Sequence, residues 1–129
     1  MTSWNIKILK SRNNNGSNIF IGIAPSDIDQ NEDNNYEKCG WHIYCYYSTL
    51  CSGPPHNYTG MEYGPRKESG KYAHTGDSVG VVMDTTKSEL SFFVNGVNFG
   101  VAFKGIPLDK PLVPCVLLKR EKDSVELIV

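Results

Sequence analysis

Apolar side chains alternate with polar or small ones in short segments of this chain, and the segments recur about every eight to fifteen residues, separated by Gly, Pro, Asn and Asp. Trp4, Ile6 and Ile8 alternate with Asn5 and Lys7, and residues 41–46 (WHIYCY) alternate again. Residues 19–24 (IFIGIA) form a continuous apolar run. Successive side chains of a strand point to opposite faces, so this period of two predicts strands, and helical spacing is almost absent. With residues 79–84, the two arms of 88–105, 112–118 and 125–129, the count reaches about eight, as expected for two packed antiparallel sheets.

Residues 88–105 (SELSFFVNGVNFGVAFKG) are the most legible stretch. Asn95-Gly96 suits a two-residue type I′ turn, because both positions need positive φ. That turn predicts a register in which Val94 faces Val97, Phe92 faces Phe99 and Leu90 faces Val101. Six apolar side chains then share one face, with Ser91, Asn98 and Gly100 on the other. Residues 11–18, 26–38 and 48–72 are polar or broken by Pro and Gly, and are expected to be long surface loops.

Length and composition fit this picture. The chain has 129 residues, 40% hydrophobic and 21% charged, enough for one core and one domain over 1–129. Thirteen basic against fourteen acidic side chains give a net charge of −1, with no field to gather nucleic acid. No apolar run is long enough to span a bilayer. The first residues lack the pattern of a secretory leader, which favours a cytoplasmic protein. Cys39, Cys45, Cys51 and Cys115 form no paired framework and are expected to be reduced. The sequons at Asn15 and Asn57 would matter only on secretion.

Four motifs invite a sharper chemistry and fail on context. Residues 76–80 (GDSVG) match a serine-hydrolase elbow, but a strand follows where a helix is needed, which leaves Ser78 no nucleophile's role. Asp27, Asp29 and Asn31 resemble a calcium loop, yet Glu32 stands where Gly is required and Lys38 where Glu is required. Cys39, His42, Cys45, Cys51 and His56 lack the close pair that anchors zinc, and parity separates His42 from Cys45. Residues 119–122 (KREK) read as a solvated turn. No catalytic residue, metal site or cofactor is expected.

Residues 39–44 (CGWHIY), 75–84 (TGDSVGVVMD), 90–96 (LSFFVNG), 100–106 (GVAFKGI) and 112–118 (LVPCVLL) follow one another in the order and approximate spacing of SPRY domains, the core of the B30.2 module. The chain resembles that family from Trp4 to Val129. The resemblance implies an all-β fold: a bent antiparallel β-sandwich related to the concanavalin-like lectins and jelly rolls. It also implies a non-catalytic module whose edge loops grip other proteins, often at the end of multidomain proteins such as ubiquitin ligases, where it selects the target. The segment that precedes the Trp4 strand in the full B30.2 pattern has no counterpart here, which is compatible with excision from a larger protein.

Parity places Trp41, Ile43 and Cys45 inward, and His42, Tyr44 and Tyr46 outward as an exposed aromatic stripe. Exposed Tyr buries much area at little rotamer cost, which suits recognition. By resemblance, the loops carrying Asn13 and Asn14, then Asn34, Asn35 and Tyr36, then Lys119 and Arg120, flank that stripe. Their amides can capture an extended backbone. The expected function is recognition of a short segment of a partner protein by a monomer, through Tyr44, Tyr46 and these loops. The alternative is carbohydrate binding, with Tyr44 as platform beside the Asn-rich loops.

Overall fold

The alternating segments fold as strands in a computed structural model that describes residues 2–10, 19–27, 40–45, 48–64, 76–118 and 124–128. In chain order these are β1 (Thr2–Lys10), β2 (Ile19–Pro25), β3 (Trp41–Tyr44), β4 (Thr49–Ser52), β5 (Thr59–Glu62), β6 (Ser78–Asp84), β7 (Glu89–Val94), β8 (Val97–Lys104), β9 (Leu112–Leu118) and β10 (Ser124–Ile128). Two five-stranded sheets result, ordered β10-β1-β6-β7-β8 and β5-β4-β3-β2-β9, with every ladder antiparallel. The expected all-β antiparallel sandwich is what the chain adopts. Ile6, Ile8, Val79, Val81, Leu90, Phe92 and Phe103 of the first sheet meet Ile19, Ile21, Ile23, Trp41, Ile43 and Leu50 of the second in one core. Burial of these apolar faces is the main force holding the layers together.

Residues 48–72 were expected to be loop, and here the structure differs. Residues 49–52 and 59–62 form β4 and β5, which extend the second sheet beyond β3. Four-residue strands rich in Thr, Gly and Ser carry almost no periodic signal, and the prolines at 54 and 55 fall in the turn between them. The same stretch ties the two sheets together. Trp41 Nε1 donates to His56 Nδ1 at 3.1 Å, which leaves Nε2 to donate to the Lys104 carbonyl on β8. Beyond β5, the Tyr63 hydroxyl accepts from Phe92 N at 3.1 Å and donates to the Gly100 carbonyl.

The hairpin turns as expected, with Asn95 and Gly96 at φ 51° and 81° and Val94 opposite Val97. Its register then departs from the simple ladder. Phe93 pairs with Asn98 but Ser91 pairs with Val101, and Leu90 pairs with Phe103 instead of Val101. At each of these two steps β8 carries one residue more than β7, and Gly100 takes φ 98° in the first bulge. The bulges turn Val101 outward, where it is exposed, and bring Phe103 into the core. Leu90, Phe92 and Val94 are buried as expected, and Phe99 packs against them half-buried.

Candidate functional site

The strand registers define two ends of the sandwich. Lys10 pairs with Ser124, Lys7 with Ser78, Val79 with Val94, Ile19 with Leu118 and Phe20 with Tyr44, so these residues stand towards one end. The strand ends that lead into 11–18 and 119–123 are therefore on the Tyr44 side. The ends that lead into 28–39 are not. Pro25 pairs with Leu112, and Gly40 precedes Trp41, which pairs with Ile23 and Ser52 at the far end.

Of the expected binding residues, Tyr44 is the one among the described residues; Asn13, Asn14, Asn34, Asn35, Tyr36, Tyr46, Lys119 and Arg120 lie outside them. Tyr44 is half-buried and stacks on Phe20, its cross-strand neighbour, with ring centroids 4.5 Å apart and planes 10° from parallel. Stacking of this kind fixes the ring beyond what area alone provides. Thr49 and then Glu62 continue the row outward from Tyr44, and exposure rises from buried Phe20 to exposed Glu62. The row presents one held aromatic surface with a hydroxyl and a carboxylate beside it.

His42 does not extend that surface. It faces outward by parity yet is 0% exposed, which corrects the expected exposed stripe. The outward side chains of β2, Phe20 and Ala24, are buried as well, so this face is covered in its middle. Glycines make room for the imidazole: Gly22 sits opposite it in the ladder, and a Cβ on Gly40 would come within 3.0 Å of His42 Cε1. Parity tells which side a residue faces, not whether that side is wet. The signal was the unbroken run of residues 19–24, which is what a strand buried on both faces looks like.

Behind Tyr44 the same end is braced by polar contacts that sequence reasoning missed. Asn95 Nδ2 donates to Asp77 Oδ1 at 3.0 Å, and Asn95 Oδ1 accepts from Ser78 N at 3.0 Å. Asp77 O accepts from Ile8 N at 2.8 Å, and Gly76 N donates to Ile8 O at 2.8 Å. The turn at 95–96 is thereby locked to the starts of β6 and the end of β1. Ser78, the serine of GDSVG, opens β6 within this lock. Cys45, one residue past β3, is buried, and desolvation followed by the Asp77 charge pushes its thiol up to about 12. At the far end, Lys110 Nζ lies 2.9 Å from Asp27 Oδ2, and this contact holds the Asp27 carboxyl below the usual range.

A family model described as SPRY domain matches residues 2–129. The chain belongs to the SPRY domain family. Two solved structures illustrate the likeness. The SPRY domain of human HERC1 superposes with TM-score 0.68 at 19% identity, covering 97% of this chain and 72% of that one. A structure described as human SPRY domain gives TM-score 0.73 at 17% identity, with 97% and 74% covered. At such identities the likeness speaks for the fold alone. Comparison with curated proteins gives no match. SPRY domains are generally non-catalytic modules that bind protein partners.

Proposed function

We propose that this SPRY domain recognises a short segment of a partner protein at the sandwich end that carries Tyr44. The observation that carries the reading is the Tyr44 ring, half-buried and stacked on Phe20 where β3 meets the strand ends leading into 11–18 and 119–123. A ring held before binding has less freedom to lose when a partner covers it, so more of the contact energy remains as affinity. Asn13, Asn14, Tyr46, Lys119 and Arg120 supply the polar rim in this reading. Asn34, Asn35 and Tyr36 contribute only if their segment reaches across from the far end. The module acts as a cytoplasmic monomer and selects a target for the domains fused to it, as in a ubiquitin ligase.

The test is photo-crosslinking with p-benzoylphenylalanine in place of Tyr44, run in the native cell beside the same group at Glu126, on the edge of the other sheet. A discrete protein adduct at 44 and none at 126, with the crosslink mapping to one short peptide, is the expected result. Equal labelling at both positions would remove the site.

A further inference from the structure

We infer that Asn95-Gly96 is a self-modification site, at which the Asn95 amide is lost as ammonia, and that the contacts of Asn95 with Asp77 and Ser78 hold the reaction off until the turn opens. None of the residues in the binding reading above takes part.

The reacting groups are adjacent and wet. Asn95 and Gly96 are both exposed, and nothing lies within 4 Å of the place a Gly96 Cβ would take. With no side chain in the way, the Gly96 nitrogen can close on Asn95 Cγ, an attack within one chain that needs no encounter. The step balances with water alone. Solvent base takes the Gly96 amide proton, the nitrogen bonds to Cγ, and Nδ2 departs as ammonia with a proton returned from solvent, leaving a five-membered cyclic imide. Water then opens the ring at either carbonyl and gives aspartate or isoaspartate at position 95.

The fold supplies the restraint. Ring closure swings Cγ onto the Gly96 nitrogen, a movement that carries the amide away from its present partners. Both polar atoms of that amide are bonded to the start of β6: Nδ2 donates to Asp77 Oδ1 and Oδ1 accepts from Ser78 N, each at 3.0 Å. The Asn95 main chain is tied to the same place, its N donating to Ser78 O at 2.9 Å. Asp77 is anchored in turn by Ile8 N, which donates to its carbonyl at 2.8 Å. Reaction therefore waits on a local opening that breaks the side-chain bonds, and its rate follows the population of that open form.

The change is one-way. An aspartate product has no Nδ2 to donate and sets a carboxylate against that of Asp77, and like charges so close repel. An isoaspartate product runs the main chain through Cβ and Cγ, so the two-residue turn that sets Val94 opposite Val97 no longer fits. In both products the bond from position 95 to Asp77 is gone, and the chain keeps one more negative charge at this turn.

The experiment incubates the folded wild type, the wild type unfolded in concentrated urea, Asp77→Ala and Tyr63→Phe in mildly alkaline buffer. Conversion at position 95 is read by ion exchange and peptide mass spectrometry. The folded wild type should react at least about tenfold more slowly than the unfolded chain, a comparison that needs no variant. Asp77→Ala removes the acceptor for Nδ2 and should react about tenfold faster than the folded wild type. Tyr63→Phe lowers overall stability without touching these contacts and should stay within twofold of the wild type. The isolated product should exchange the Ser78 amide faster than the unreacted chain. The proposal is overturned if folded and unfolded wild type react alike, or if Asp77→Ala reacts no faster than the wild type. It is also overturned if Tyr63→Phe speeds the reaction as much as Asp77→Ala, which would place the reaction in the globally unfolded chain. Equal protection of Ser78 before and after conversion would overturn the one-way change.

Discussion

The Tyr63 hydroxyl occupies the gap that the Gly100 bulge opens beside Phe92, accepting from Phe92 N at 3.1 Å and donating to the Gly100 carbonyl. It substitutes for the ladder contact that β7 and β8 lose where their register shifts. The Tyr63 main chain is itself clamped, since Ser48 Oγ donates to its carbonyl at 2.7 Å and its N donates to Ser48 O at 3.1 Å. One side chain thus joins the β5 edge of the second sheet to the β7–β8 edge of the first.

Replacing Tyr63 with Phe leaves Phe92 N and the Gly100 carbonyl without this partner. A loss of about 1–3 kcal/mol is expected, read from urea denaturation. The wild type also carries a pH signature. Desolvation pushes the Tyr63 phenol up to about 12 from 10.0, against a smaller opposing effect of its hydrogen bond with the Phe92 backbone. The folded chain therefore holds this proton more tightly than the unfolded one. Its contribution is complete below pH 10 and is lost as pH rises through about 12. Denaturation curves between pH 9 and 12 should show a loss in the wild type that Tyr63→Phe lacks.

Gly22 tests the close approach of β2 and β3. A Cβ there would lie 1.8 Å from the Trp41 carbonyl oxygen and 2.7 Å from His42 Cα, both backbone atoms of the neighbouring strand. Gly22→Ala must force the strands apart, and a loss of at least about 3 kcal/mol is expected. Soluble protein with wild-type stability would contradict the packing around His42.

Asn95→Asp removes the amide that donates to Asp77 and sets a second carboxylate in its place. The turn keeps its φ preference, because Asp tolerates positive values. A loss of about 1 kcal/mol is expected, larger in low salt than in 1 M NaCl, since exposed charges are screened. Melting curves at the two salt concentrations check it.

Cys45 should resist alkylation in the folded protein. It is buried, and its thiol is pushed up to about 12, so the reactive thiolate is almost absent at neutral pH. Among the described cysteines, Cys51 and Cys115, both half-buried, should label before Cys45 under iodoacetamide, with Cys45 labelling only on unfolding. Mass spectrometry after a short pulse reads the order.

The strands that carry the core were legible because alternation survives wherever one face is buried and the other is not. Ile6 and Ile8, Val79 and Val81, and Leu90 and Phe92 all lie inside as their parity predicts. β4 and β5 were hidden because Thr49–Ser52 and Thr59–Glu62 are too short for a period to show. The bulges were hidden for another reason. Gly100 fits the outward side of a regular hairpin as well as it fits a bulge, and only the distant Tyr63 distinguishes the two. At the candidate site, sequence placed Tyr44 on the correct side of β3 but gave no sign of its stack on Phe20. A cross-strand pair depends on a register between β2 and β3 that no local turn sets.

The central claim, that Tyr44 is the held surface a partner covers, is tested most directly by titrating the peptide captured at position 44 against the wild type and Tyr44→Ala. Loss of the stack with Phe20 should lower stability by about 1 kcal/mol. Affinity should fall at least tenfold, as for a binding hot spot. Affinity within twofold of the wild type, in a variant that melts as a folded sandwich, would contradict the account.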